Sequence, residues 1–382
     1  MNQSEEAKHI CFEGGPCAGK TTALAIAKQQ LEERGFTPII IPETATLIIQ
    51  SGISPAHADP IEFQRFVVAV QNSHERNWQA QAKVLFPDKK LVFLYDRGLL
   101  SGAAYLGDRT QAKVDHAHFE QNVLKPSIGE SCERVRSHYD ALIHMVTAAD
   151  GAEAFYTLAN NTARSETPEQ ARQLDSRTMN AWLGHGHLRV VNNRLHDGSS
   201  KSFDQKIDDV MGHVYSALGI PVPIEDEDKY LLTSFHPDSI PTPYVAIDIE
   251  QTYLLSEFDE RVRKRKSLMG YSYYHTIKKP GPNGARFETE RCIKETEYKQ
   301  LLARRNPKLL TIKKRRYCFI HEGQYFEIDV FAGERKGLIL AEREKTHDNP
   351  TTKMPKFLGH YTDVSQDPKY KNRSIAEPSW TL

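Results

Sequence analysis

Residues 14–21 read Gly-Gly-Pro-Cys-Ala-Gly-Lys-Thr and match GxxxxGK[ST] at every required position. That spacing suits one task, wrapping the phosphates of a nucleoside triphosphate, ATP or GTP. Gly14, Gly15 and Gly19, with Pro16, Cys17 and Ala18 between them, let backbone N–H groups curl around phosphate oxygens. Lys20 is placed to reach the β- and γ-phosphates and Thr21 to hold magnesium, while Thr22 continues the nucleotide-binding run into a helix. Glu43 follows the β-branched run Thr37–Ile41, where a carboxylate at a strand's C-terminal end points into a ligand crevice. There it can accept a proton from an attacking hydroxyl or orient it. Asp96 follows the run Leu91–Tyr95, placed for the magnesium shell or as a second base, and Arg97 beside it can contact a phosphate. Arg164 and Arg172 lie in the polar stretch 161–175, which has the make-up of a mobile lid whose arginines neutralise a transferring phosphoryl group. Asp150 either accepts from a guanine or caps a following helix.

A second set of residues repeats at i and i+2. Glu225, Glu227 and Lys229 fall on one face of a strand. Two carboxylates side by side repel unless a cation lies between them, and a hard divalent ion with oxygen ligands is the natural partner. The same spacing joins Arg261 with Arg263, Thr276 with Lys278, and Glu288 with Glu290, Arg286 lying on their side. It recurs in Lys314 with Arg316, Glu327 with Asp329, and Glu342 with Glu344. Folded into a small barrel with polar residues inward, these strands line a lumen with both signs of charge. Arg261, Arg263, Lys278, Lys314 and Arg316 then grip a triphosphate, a polyphosphate or a phosphorylated headgroup. Glu225, Glu227, Glu288, Glu290, Glu327, Asp329, Glu342 and Glu344 hold Mg2+ or Mn2+, which polarises phosphate and activates water. Glu225, Glu227 and Lys229 form the catalytic element of this set.

The elements that must position these groups divide the chain in two. In the first half, strand-like runs at His9–Glu13, Thr37–Ile41, Leu91–Tyr95, Ala141–Val146 and Leu188–Val191 alternate with helical segments such as Thr21–Arg34. That alternation predicts an α/β domain with a doubly wound parallel sheet, kinase-like, over residues 1–220. Past Pro221 and Pro223 come short segments of alternating charge and apolarity, which predict a mainly β unit, an antiparallel β-barrel tunnel, over 221–382. Across 382 residues, 50 Lys and Arg balance 50 Asp and Glu, so no bulk attraction to nucleic acid or membrane is expected. Five scattered cysteines outside zinc or disulfide spacing, an N-terminus without a signal-peptide pattern and the absence of a membrane-length apolar run predict a cytoplasmic protein without stable membrane insertion. The sequence assigns no oligomeric state.

Taken together, GGPCAGKTT, YDRG, HMVTAADGAEAFYTLANNTARSETPEQARQLD and HLRVVNN closely resemble the AAA-type P-loop domain shared by nicotinamide riboside kinases of the NadR type and the TRPL-translocation-defect protein, over residues 8–218. EDEDKYLL, IEQTYLL, RVRKR, YYHTIKK, RFETE, KKRRY, FEIDVF, LILAERE and KFLGHYTDV resemble the CYTH family, the triphosphate tunnel metalloenzymes, over residues 222–376. The first resemblance implies nucleotide binding and a small-molecule-kinase fold. The second implies metal-dependent chemistry on a triphosphate, tripolyphosphate or pyrophosphate. His360-Tyr361 departs from the CYTH pattern, in which acid and valine are frequent. The order of the two halves resembles that in the family of the TRPL-translocation-defect protein. This resemblance implies an alternative: a GTP-regulated phosphoinositide-binding protein of membrane trafficking, without tunnel catalysis.

Overall fold

The computed structural model describes residues 7–107, 111–153, 156, 167–195, 198–219, 227–267, 270–280, 286–345 and 351–382. Arg164 and Glu225 lie outside them. The chain divides into two compact units, Met1–Leu218 and Gly219–Leu382.

In the first unit β1 (Lys8–Glu13) enters the phosphate loop and α1 (Lys20–Glu33) leaves it. There follow β2 (Phe36–Ile41), α2 (Thr44–Gln50), α3 (Pro60–Leu85), β3 (Lys90–Asp96), α4 (His116–Phe119), α5 (Lys125–Ile128) and α6 (Cys132–Arg136). The unit ends with β4 (Ala141–Met145), α7 (Pro168–Ala181), β5 (Leu188–Val191) and α8 (Phe203–Leu218). The five strands form a parallel sheet in the order β2-β3-β1-β4-β5. With β1 central, its phosphate loop emerges between the C-terminal ends of β3 and β4, where open α/β sheets bind ligands. On one face α1 buries Ala23, Leu24, Ala27 and Leu31, a helical stripe, against Ile10, Phe12, Val92 and Ile143. From α8, Ile207, Val210, Met211 and Val214 complete that core. Each fully buried aliphatic side chain contributes roughly 1.5–3 kcal/mol. A capping box between Thr167 and Gln170 starts α7, with Pro168 in its first turn. Asp96 is the last residue of β3, one position beyond the expected strand end.

The second unit contains β6 (Glu227–Leu232), β7 (Tyr244–Tyr253), β8 (Asp259–Ser267), β9 (Gly270–Pro280), β10 (Arg286–Ile293), α9 (Glu295–Leu302), β11 (Ile312–His321), β12 (Gln324–Ala332), β13 (Ile339–Glu344), β14 (Tyr361–Asp363) and α10 (Asn372–Ile375). Its strands form one antiparallel sheet of nine, ordered β10-β9-β8-β7-β11-β12-β13-β6-β14. Among the described residues no pairing joins β10 to β14. Tyr361 and Asp363 belong to the short edge strand β14, paired with Leu232 and Tyr230 of β6. One face packs apolar residues, including Tyr230, Phe319, Phe326 and Ile328, and Val262 and Tyr273 beneath Tyr298 of α9. The other face carries the alternating charges. Among the described residues no helix is long and apolar enough to cross a membrane.

Candidate functional site

The phosphate loop adopts three left-handed conformations, at Gly14 (φ 148°), Cys17 (φ 57°) and Gly19 (φ 91°). Only glycine fits the first without displacing backbone, because a Cβ on Gly14 would collide with the Met145 carbonyl oxygen. Gly19 is the residue before α1, and Thr21 and Thr22 stand exposed on its first turn. The Lys20 ammonium is buried, 3.4 Å from the Gly14 carbonyl oxygen and 4.0 Å from Asp96 Oδ1. Burial and Arg97 lower its pKa, against the pull of Asp96 and Glu43. Asp96 is pushed upward, chiefly by burial, and its Oδ1 has no hydrogen-bond partner. A buried carboxylate oxygen of that kind beside the P-loop fits a magnesium ligand, with Thr21 as the exposed hydroxyl partner.

Glu43 and Arg97 meet across 54 residues of sequence: Arg97 Nε donates to Glu43 Oε1 at 2.6 Å, and Thr46 Oγ1 donates to Glu43 Oε2 at 2.9 Å. Burial would raise the Glu43 carboxyl, but Arg97 and Lys20 outweigh it and hold it down to about 2. Both roles expected of Glu43, accepting a proton or orienting the hydroxyl, call on the ionised carboxylate that this arrangement favours. The Arg97 guanidinium pairs with Glu43 and stands 3.5 Å from Glu13 Oε2. Arg97 has φ 75°, a left-handed conformation that turns the chain sharply after β3. Glu13 is a site residue missed from sequence. It is fully buried and accepts from Gly98 N (2.8 Å) and Ser101 Oγ. Its only signal was an acid at the end of an apolar strand.

Arg172 sits on the exposed side of α7, paired with Glu169 and donating to the Ala149 carbonyl oxygen at 2.8 Å. Asp150 is exposed in a turn, not at a described helix start; its carbonyl accepts from Asn193 Nδ2. Two other residues that the sequence did not single out touch the phosphate loop itself. Asp175 Oδ1 accepts from Gly15 N at 2.6 Å, and Lys206 Nζ donates to the Ala18 carbonyl oxygen at 3.0 Å.

In the second unit the strand registers place the i, i+2 sets opposite one another. Arg261 pairs with Thr276, which pairs with Glu290, and Lys278 pairs with Glu288. Arg316 lies opposite Asp329, Glu327 opposite Glu342, Glu342 opposite Lys229, and Glu344 opposite Glu227. Acids thus gather on β12, β13 and β6 and again on β10, and bases on β8, β9 and β11. Arg316 is the hub, bonded to Glu327, to Asp329 Oδ2 at 2.6 Å and to Glu342 Oε2 at 2.8 Å. Lys314 pairs with Asp329, and Lys229 bridges Glu227 (2.8 Å) and Glu342 (3.0 Å). Arg263 pairs with Glu290, whose Oε2 also accepts from Thr276 at 2.7 Å. Arg265, on the same face of β8 as Arg261 and Arg263, is a buried cation missed from sequence.

These contacts sort the expected metal ligands. Asp329 is fully buried and engaged by Lys314 and Arg316, so it anchors cations; Glu290 does the same for Arg263. Glu227 keeps a half-exposed carboxylate, and the buried Glu342 carboxylate meets Lys229 through Oε1 and Arg316 through Oε2. Such oxygens fit a hard divalent cation in kind, although among the described residues no three Asp, Glu, His or Cys side chains converge on one point. Burial pushes Glu327 up despite Arg316, whereas Lys229, Lys314 and Arg316 overcome burial and pull Glu342 well down. Apolar side chains bound the charged band: Ile247, Ile249 and Cys318 in one cluster, Tyr253, Ile312, Phe331 and Leu340 in another.

An AAA-domain family model matches residues 9–197. The chain is 30% identical to an inorganic triphosphatase of Acetivibrio thermocellus over 153 residues, 40% of this chain and 93% of that protein. It is 31% identical to an inorganic triphosphatase of Nitrosomonas europaea over 155 residues, 96% of that protein. The chain belongs to the inorganic triphosphatase family. A crystal structure of an inorganic triphosphatase, at 27% identity and a TM-score of 0.30, covers 41% of this chain and 95% of its own. The AAA-type match distinguishes this member, since the two triphosphatases are almost spanned by 40% of the chain.

Proposed function

We propose that the first unit binds a nucleoside triphosphate with magnesium as a kinase or NTPase, and that the second is a divalent-metal-dependent triphosphatase acting on a triphosphate or polyphosphate. The observation that carries the second reading is the burial of a charged sheet face. Lys229, Arg261, Arg265, Lys314, Asp329 and Glu342 are all less than a tenth exposed. Charges are buried only when other charges or ligands satisfy them. A sheet that curls with this face inward meets that condition and makes a tunnel suited to an anionic chain. Arg261, Arg263, Arg265, Lys278 and the Lys314–Arg316 pair would offset the substrate's charge. Glu227 and Glu342, with Glu225 and Glu344, would hold the metal, which when bound polarises phosphate and lowers the pKa of water. In the first unit Lys20 would neutralise the β/γ-phosphates, and Thr21 and Asp96 would hold magnesium.

The test is release of phosphate from tripolyphosphate with manganese, against the Glu225→Ala/Glu227→Ala double variant and against added chelator. Release that both abolish is the expected result. Tripolyphosphate binding without release above the double variant would overturn the triphosphatase reading in favour of a binding tunnel. For the first unit, Lys20→Ala should abolish the rise in apparent melting temperature caused by ATP or GTP.

A further inference from the structure

Asp175 and Lys206 are buried, opposite in charge and on different helices, α7 and α8. They join the same two segments. Asp175 Oδ1 accepts from the N–H of Gly15 in the phosphate loop (2.6 Å) and of Thr147 after β4 (3.1 Å). Lys206 Nζ donates to the carbonyl oxygens of Ala18 in the same loop (3.0 Å) and of Val146 beside Thr147 (2.6 Å). The acid takes two N–H groups and the base takes two carbonyls. The Thr147 hydroxyl, donating to the Pro16 carbonyl, adds a third tie between these segments. Gly15 has no room for a side chain on this side, because a Cβ would stand 2.7 Å from Asp175 Oδ1.

We infer that Asp175 and Lys206 are positioning residues for the nucleotide site, a clasp that holds the phosphate loop in its anion-accepting shape. This rests on the nucleotide-binding reading of the first unit. The loop's shape is intrinsically unfavourable: Cys17 is a non-glycine residue at φ 57°. Without an external hold, a bound phosphate would have to order the loop itself, and affinity would fall by that ordering cost. The clasp supplies the order beforehand. Because Gly15 N–H is committed to Asp175, the loop's phosphate contacts come from its later amides and Lys20. Lys206 also sets a positive charge behind the loop, reinforcing the field of the α1 N-terminus. One turn before Asp175, α7 also places Arg172 on the Ala149 carbonyl, so one helix holds both the loop and the chain that follows β4.

The experiment measures dissociation constants of fluorescent ATP and GTP analogues with magnesium, on the full chain, for Lys206→Met, Asp175→Ala and Asp175→Asn. Melting temperatures without nucleotide are recorded alongside. Loss of one charge-assisted buried hydrogen-bond pair predicts affinity weaker by about tenfold in Lys206→Met and Asp175→Ala. Asp175→Asn keeps an oxygen acceptor and should recover most of that loss. A purely structural role would lower the melting temperature and leave the affinity of the folded protein unchanged. Lys206→Met or Asp175→Ala that folds and binds within about twofold of the unsubstituted protein overturns the clasp. If Asp175→Ala and Lys206→Met do not fold, Asp175→Asn decides: binding about tenfold weaker than that of the unsubstituted protein, with the acceptor kept, overturns it. No binding by the unsubstituted protein overturns the nucleotide reading, and the clasp with it.

Discussion

Replacing Glu75 by glutamine should stabilise the first unit above neutral pH and leave it nearly unchanged in acid. Glu75 lies on α3, 3% exposed, accepting from Gln71 Nε2 at 2.9 Å and from the Tyr139 hydroxyl at 3.1 and 3.3 Å. Burial pushes its carboxyl up from 4.5 to about 7, against those two hydrogen bonds. The direction follows from proton linkage. Below 4.5 the group is protonated in both folded and unfolded chains and costs nothing. As pH rises toward 7 only the unfolded chain releases its proton, so stability falls by about 1.4 kcal/mol per pH unit. Above 7 the full deficit is about 3 kcal/mol. Glutamine never ionises, and its oxygen can still accept from Gln71 and Tyr139 while its amide donates back to the phenol. Urea or thermal unfolding of both proteins at pH 5 and pH 8.5 measures the difference. A unit of this size gains roughly 2–4 °C per kcal/mol, so the variant should melt roughly 6–12 °C higher at pH 8.5. Equal displacement of the two curves at both pH values would refute the reasoning, because the gain would then owe nothing to a buried ionisation.

Two further outcomes follow from the geometry. Arg316→Met should cost about 3–5 kcal/mol at pH 7, because Glu327 and Glu342 lose a buried guanidinium while staying buried. The deficit should shrink below pH 5 as those acids take protons; denaturant titration at pH 7 and pH 4.5 reads both, and a cost under about 1 kcal/mol contradicts the hub role. Gly14→Ala should lower the melting temperature more than Gly19→Ala, since its Cβ meets the Met145 carbonyl whereas that of Gly19 meets the half-exposed Phe203 ring, which can rotate away. Gly19→Ala retains a left-handed backbone cost of roughly 1–2 kcal/mol, and equal melting temperatures for the two variants would argue against the backbone clash.

Much of the site was legible because its chemistry is local. The phosphate loop needs glycines, a lysine and a threonine within eight consecutive residues, and a strand-loop-helix around them. Those constraints act between near neighbours, and β1 and α1 stand where the pattern requires. The two charged sets of the second unit were legible for a similar reason. A strand returns to the same face every second residue, so Lys314 with Arg316 and Glu327 with Asp329 had to share a side whatever their partners. The short edge strand β14 and the four-residue helix α10 were not read as elements, because three or four residues carry too little periodicity.

What the sequence by itself determined was the kind of ligand, phosphate, and the residue types that would face it. Tertiary structure decided which of those residues are available. Arg97 spends its charge on Glu43 and Glu13, and Arg316 spends its charge on three acids from β12 and β13. Asp175 and Lys206 reach the phosphate loop from 160 and 188 residues away; Asp175 closes the polar stretch 161–175, whose arginines alone drew notice, and nothing near Lys206 marks it. The physical reason is that a charge is free or neutralised according to what lies within about 4 Å of it. Spacing along one strand or helix sets a side chain's direction; only the packing of distant elements sets what it meets.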